Sequence, residues 1–154
     1  MFANLILDYR QGNRSRAVIR DYYKQTTITD ANGTASTTIT LDDDGVAHLI
    51  TDWSLTGDDD TKTNYINRNV AAKLSLQTLG GFNLQNDYTP QDQFSPAQNI
   101  GRNALPGGLI VPPKTIIAAD FKDLGGASGN KANLVIRTVK IFDEAFLARL
   151  LGVR

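Results

Sequence analysis

The chain has 154 residues, 41% of them hydrophobic, which suits one domain built around one sizeable core. Sixteen Lys and Arg balance sixteen Asp and Glu, so no global charge selects nucleic acid or an anionic membrane as the main partner. The absence of cysteine excludes a disulfide framework and a thiolate metal site.

The acidic residues are lopsided, with fifteen Asp against the single Glu144, and they sit among many Thr, Asn and Gly. Glu favours helix, Asp and Asn favour turns and Thr favours strands, so an all-β fold rich in turns is expected. Charge is also segregated along the chain. Residues 1–25 hold Arg10, Arg14, Arg16, Arg20 and Lys24 against Asp8 and Asp21, whereas residues 42–60 hold seven Asp and no Lys or Arg. Such segregation can orient neighbouring subunits, or it can reflect solvated loops that differ in sign. No apolar run approaches the ~20 residues that span a bilayer, and Met1–Asp8 lacks the basic start and long apolar core of a signal peptide. The expectation is a soluble protein made in the cytoplasm.

Met1–Tyr9 is apolar enough to need a partner surface, and the polar Gln11–Arg16 stretch separates it from the first long strand. Residues 1–16 therefore read as an arm, with Phe2, Leu5 and Leu7 as its apolar contacts. It can pack on its own domain as an extra strand or on a neighbouring subunit, where Arg14 and Arg16 would help fix orientation.

A sandwich domain is expected over residues 17–142. Ala17–Asp30 is rich in β-branched and aromatic residues and ends at Asp30-Ala-Asn-Gly33, a strong turn signal that predicts a hairpin with Ser36–Leu41. Asp42-Asp-Asp-Gly45 turns the chain into the Val46–Leu55 strand, and Gly57–Asp60 opens another loop. Val70–Leu79 alternates, with Ala72, Leu74 and Leu76 on one face and Lys73, Ser75 and Gln77 on the other, as a strand with one wet face requires. Gly80–Pro113 loosens into Asn, Gln, Gly and Pro, the kind of long connection that is usually functional or assembled against something.

Pro112-Pro113 then leads into the Thr115–Leu124 strand, where Ile117, Ala119 and Phe121 alternate with Ala118, Asp120 and Lys122. A Gly/Ser/Asn-rich connection follows. In Leu134–Phe142, Val135, Val139 and Ile141 share a face with Arg137, while Leu134, Ile136, Thr138 and Lys140 lie on the other. Both faces are partly apolar, the profile of a strand covered on two sides. Residues 143–154 form a last unit: a short helix that Asp143 can cap and Gly152 can end, with Phe146, Leu147, Leu150 and Leu151 as its apolar stripe. Two turns are marginal alone, so the stripe must dock, on its own sandwich or on a neighbouring copy.

Catalytic equipment is sparse. Acid–base and nucleophilic chemistry usually recruits His, Cys or a tuned carboxylate, and the chain offers only His48, inside an apolar strand where a packed or interface role is expected. No nucleophile elbow, P-loop, zincin or dinucleotide motif occurs. The runs Asp42–Asp44 and Asp58–Asp60 offer oxygen ligands for Ca²⁺, but neither has EF-hand spacing, and acidic turns that keep strand ends soluble explain them as well. No cofactor and no metal are expected. A carbohydrate-binding sandwich would need an aromatic platform, for which Tyr65 and Tyr88 are the loop candidates, while Trp53 reads as core. The basic arm beside Tyr9, Tyr22 and Tyr23 matches no nucleic-acid-binding motif.

The Pro106–Thr115 entry, the strand ending Asp120–Leu124, the Gly125–Asn130 turn and the Leu134–Phe142 strand together resemble the end of a jelly-roll virion protein of the bacteriophage capsid, minor capsid and head-decoration type. The resemblance covers about the last 50 residues and rests on pattern more than on invariant letters. It implies a single-domain jelly-roll-like β-sandwich of about eight strands, symmetric homo-oligomers such as trimers or pentamers, and a structural, non-enzymatic role in the virion beside other virion proteins. No membrane and no sequence-specific nucleic acid is implied as partner, and synthesis would be in the host cytoplasm. The expected interface residues are Phe2, Leu5, Leu7, Arg14, Arg16, Phe146, Leu150 and Leu151. The alternative is a carbohydrate- or receptor-binding module of a phage tail or fibre, and a hydrolase would have to work through its Asp pairs. The Asp-rich region maps onto no part of the virion family.

Overall fold

The computed structural model describes residues 17–59, 69–94, 103–126 and 128–152. The arm with Phe2, Leu5, Leu7, Arg14 and Arg16, together with Asp60 and Tyr65, lies outside them. Nine strands are described, β1 (Ala17–Ile28), β2 (Thr34–Thr40), β3 (Ala47–Asp59), β4 (Val70–Leu76), the two-residue β5 (Phe82–Asn83) and β6 (Thr89–Pro90), β7 (Asn103–Val111), β8 (Ile116–Asp123) and β9 (Asn130–Ile141). A single helical turn α1 (Gln91–Phe94) precedes β7, and α2 (Glu144–Leu151) closes the chain. Neither is long and apolar enough to cross a membrane.

The strands form two antiparallel sheets, ordered β1-β9-β3-β7 and β2-β8-β4-β5, with β6 also on β4. Counting the fragments β5 and β6 as one strand, each sheet has four strands, and successive strands lie in different sheets except within the β4 to β6 stretch. That wiring is the double-sheet jelly roll, an all-β sandwich. The inward residues follow the two-residue period of each strand. Ile50, Leu55, Ala132, Leu134 and Ile136 of the first sheet meet Val70, Ala72, Leu74, Leu76, Ile117, Ala119 and Phe121 of the second, all buried. Burial at about 25 cal/mol per Å² makes this layer the main stabilising term.

Three departures from the sequence reading have physical reasons. The Asp30–Gly33 turn forms, with Gly33 N–H donating to Asp30 C=O (2.9 Å) and Asn32 at φ 56°, but β1 and β2 do not ladder as a hairpin. Its backbone is tied to β8 instead, since Asn32 N–H donates to the Asp123 carboxylate and Asp123 N–H to Gly33 C=O (3.0 Å). The turn is thus a corner between sheets. Second, β3 runs on through Gly57 to Asp59, paired with β9 down to Asn130, because the long central strand supplies a ladder for residues that are poor strand formers alone. Third, β7 lies inside the stretch read as a loose connection. It is an edge strand, where Pro106 costs no ladder bond, and the register of β3 slips beside it between Ile50 and Asp52.

Candidate functional site

The outer face of the β1-β9-β3-β7 sheet divides into three zones. Nearest the end of β9, Leu49, Val139 and Ile141 are buried beneath Phe146, Leu147 and Leu150 of α2, with Ala17, Val46 and Ile110 at the margin. The helix starts where the sequence requires: Asp143 accepts from the N–H groups of Ala145 (2.8 Å) and Phe146 (3.1 Å), and Gly152 ends it at φ 70°. The expected interface residues Phe146 and Leu150 thus face their own sheet, while Leu151 is 56% exposed. In the middle zone Arg137 donates twice to Asp21 (2.8 and 2.9 Å), and Asp52 stands opposite it on β3. Burial pushes the Asp52 carboxyl above the usual range, against the Thr51 hydrogen bond and the Arg137 charge. The far zone is open and polar, with the Tyr23 hydroxyl and the Gln25 amide both donating to Asn133 Oδ1 (2.8 Å each).

At each end of the sandwich a charged knot ties loops together. At the α2 end, buried Lys140 donates to Asp42 Oδ2 (3.0 Å) and to Asp44 Oδ1, while Lys114 pairs with Asp43 (3.0 Å). Burial alone would lower the Lys140 pKa, but the hydrogen bonds to Asp44 and Asp42 outweigh it and hold it above the ordinary lysine value. The same contact draws Asp44 below the usual carboxylate range. The Asp42–Asp44 run is therefore closed by the chain's own lysines. Among the described residues no group of three or more His, Asp or Glu is placed to hold a metal ion.

His48 is fully buried beneath this knot. Its Nε2 faces Asp42 C=O at 3.1 Å and, since a carbonyl only accepts, carries the proton. Nδ1 has no partner, nor does the Thr138 hydroxyl, which sits diagonally across the ladder from His48. Burial, then the Lys140 charge, lowers the His48 pKa, with Asp42 and Asp44 opposing. Tyr22 packs edge-on to the imidazole at 6.3 Å and accepts from Asp42 N–H (3.1 Å). The histidine is packed behind the Asp42–Asp44 loop.

At the opposite end Asp123 is buried and accepts from Asn32 N–H (2.9 Å), Gly125 N–H (3.0 Å) and Asn130 Nδ2 (2.7 Å). Burial would raise its pKa, but these donors, joined by the Gly126 amide, bring it below the usual range. One carboxylate thus fastens the β1–β2 corner to the β8–β9 corner. Its role is not legible in the sequence, because the donor that joins the two corners, Asn32 N–H, lies 91 residues upstream of it.

Among the described residues seven large apolar side chains are exposed, and five of them, Ile19, Leu79, Phe82, Phe142 and Leu151, belong to the α2 end by their strand positions. Tyr88 lies over the outer face of the second sheet, its ring 5.9 Å from the Lys122 ammonium. Trp53 packs against the core.

No family model and no curated protein matches the chain. Among solved structures it is similar to a chain of the cyanophage Pam1 capsid asymmetric unit, at 14% identity and TM-score 0.47, covering 81% of this chain and 86% of that one. It is also similar to the decameric BFDV capsid protein, at 10% identity and TM-score 0.39 over 82% of this chain and 98% of that one. A pilus protein of Bacillus endospore appendages matches at 10% identity and TM-score 0.39, over 83% of this chain and 90% of that one.

Proposed function

We propose that this chain is a structural protein of a bacteriophage virion, a capsid or head-decoration component that assembles with itself and stabilises the shell without catalysis. The observation that carries the reading is how the described residues spend their chemistry. The charged clusters are turned onto the chain's own connections, Lys140 on Asp42 and Asp44 and the backbone amides on Asp123, while large apolar groups stay exposed at one end. Enzymes expose tuned polar groups in a concave site, and assembling proteins expose apolar anchors. The jelly-roll strand order and the resemblance of the last 50 residues or so to virion proteins point the same way.

In this reading residues 1–16 are an arm that contacts a neighbour through Phe2, Leu5 and Leu7, residues 17–142 are the sandwich, and residues 143–154 are a docked helix and tail. Leu151 is the member of the helix stripe left outward for a partner, while Phe146 and Leu150 fix the helix on which it is carried. Arg14 and Arg16 orient the contact, the oligomer is a trimer or pentamer, and the protein resides in the virion with other virion proteins. Light scattering across a dilution series tests it. A stable oligomer that the Phe2→Ser/Leu5→Ser double variant dissociates, with the sandwich still folded, is expected. A compact monomer at every concentration overturns the reading.

A further inference from the structure

Resting on the self-assembly reading, the structure assigns a second contact, on the edge of the β2-β8-β4-β5 sheet. Among the described residues strand β2 is paired only with β8, in an uninterrupted register from Thr34 opposite Lys122 to Thr40 opposite Ile116. Two bonds just outside that ladder fix which backbone groups are used. Asp123 N–H donates to Gly33 C=O and Leu41 N–H to Thr115 C=O, both at 3.0 Å, so positions 33 and 41 belong to hydrogen-bonded pairs. Such pairs alternate along an antiparallel ladder. Residues 35, 37 and 39 therefore bond to β8, and Thr34, Ser36, Thr38 and Thr40 aim their N–H and C=O groups away from it, with no partner among the described residues.

The other edges carry devices that discourage strand pairing. Strand β1 bears Arg20, Asp21 and Lys24, β7 contains Pro106, and β5 is only two residues long. Strand β2, Thr-Ala-Ser-Thr-Thr-Ile-Thr, has no charge, no proline and no bulge. We propose that β2 pairs antiparallel with β2 of a second copy about a two-fold axis through Thr37, joining the two sheets into one. This register sets residue 34 against 40 of the partner copy and 36 against 38, making hydrogen-bonded pairs of the outward-facing positions. Its hydroxyl side chains pair across the outer face, no like charges oppose, and Ala35 meets Ile39 on the inner face, extending the apolar layer. A two-fold link of this kind joins rings of copies rather than closing them.

Because the chain lacks cysteine, a single introduced thiol reports the axis without ambiguity. At the two-fold, position 37 forms a non-hydrogen-bonded pair with Cα atoms about 4.5 Å apart, within disulfide range. The full-length Thr37→Cys variant should give a covalent dimer under mild oxidation. Thr34→Cys should not, since its own copies lie about 20 Å apart in this register. Thr38→Pro removes an outward donor and no β8 bond, so it should break the contact and lower the mass seen by light scattering. As a check in which both variants lose the same hydrogen bond from Ser36 Oγ to Asp120 Oδ1 (2.6 Å), Ser36→Lys/Thr38→Lys opposes two lysine pairs across the axis, whereas Ser36→Lys/Thr38→Asp creates two Lys–Asp pairs. The first should associate about tenfold more weakly than the second, or worse.

Each other outcome overturns the pairing. If wild type assembles but Thr37→Cys does not cross-link and Thr38→Pro keeps full mass, the two-fold fails while self-assembly stands. If Thr38→Pro loses mass but Thr37→Cys stays unlinked, the edge receives a different strand. A monomeric wild type at every concentration refutes both the pairing and the self-assembly on which it rests.

Discussion

Replacing Asp123 by Ala tests whether one carboxylate fastens the two sheet-crossing corners. The substitution takes the acceptor from Asn32 N–H, Gly125 N–H and Asn130 Nδ2, and from the exposed Gly126 amide beside them. The first two belong to exposed turn residues, where water can replace the carboxylate, so each should cost less than about 1 kcal/mol. Asn130 is fully buried, and an unsatisfied buried donor costs about 1–3 kcal/mol. The expected total is about 2–4 kcal/mol, a Tm drop of roughly 6–12 °C in a chain of this size. Because the shared cost sits on one pair, Asp123→Ala and Asn130→Ala should not add; the double variant should recover about 1–2 kcal/mol of the sum. The sign of the pH dependence follows from the same donors. They hold the Asp123 pKa below its unfolded value, so its stabilisation is fully present above about pH 4 and fades as pH falls through the folded value. Asp123→Asn should flatten that acid limb. A loss under about 0.5 kcal/mol for Asp123→Ala, or strict additivity with Asn130→Ala, refutes the clamp.

Phe146→Ala and Leu150→Ala should each destabilise the folded chain by about 1–3 kcal/mol in urea titrations even at dilutions where it is monomeric, since both pack on its own sheet. If the loss appears only in the oligomer, the helix serves a neighbour instead. Asp143→Ala should cost about 1 kcal/mol and speed amide exchange in the first turn of α2, because two N–H groups lose their cap. His48 is held neutral by burial and the Lys140 charge, with a pKa below its unfolded value. The unfolded chain therefore binds the proton first, and stability should fall as pH drops below about 6.5, by at most about 1.4 kcal/mol per pH unit. His48→Gln should remove that slope below about pH 6.5, and an unchanged profile sinks the assignment. Gly45→Ala should cost about 2 kcal/mol or more in thermal melts, because at φ 104° its added Cβ would lie 2.8 Å from Ile141 C=O.

How far the sequence reveals this molecule depends on whether a residue's role is decided by its neighbours along the chain. Strands β4, β8 and the second half of β9 are legible because their alternation is local and their inner faces are buried throughout. The two-sided character of β9 is legible for the same reason, since the second sheet covers one face and α2 covers the end of the other. The caps of α2 are local as well, lying at Asp143 and Gly152. Strand β7 escapes because an edge strand tolerates the Pro and Gly that otherwise signal a loop, and the end of β3 escapes because its partner supplies the order.

The charged knots escape for a different reason, which also explains why an acidic run resembled a cation site. Asp42 and Asp44 find their countercharge 98 and 96 residues away, on a lysine whose strand position looks like ordinary alternation. Nothing in Leu134–Phe142 marks Lys140 as buried, since its inward direction follows from the period while its burial follows from the Asp42–Asp44 loop folding over it. A buried ammonium is tolerable only with such partners, and partnered carboxylates offer less to a metal ion. The electrostatics that seemed free for chemistry are thus consumed in holding the β2–β3 and β7–β8 connections at one end and the β1–β2 and β8–β9 connections at the other. Among the described residues, the bare β2 edge and the exposed apolar groups around α2 are the surfaces on which the proposed self-assembly would draw.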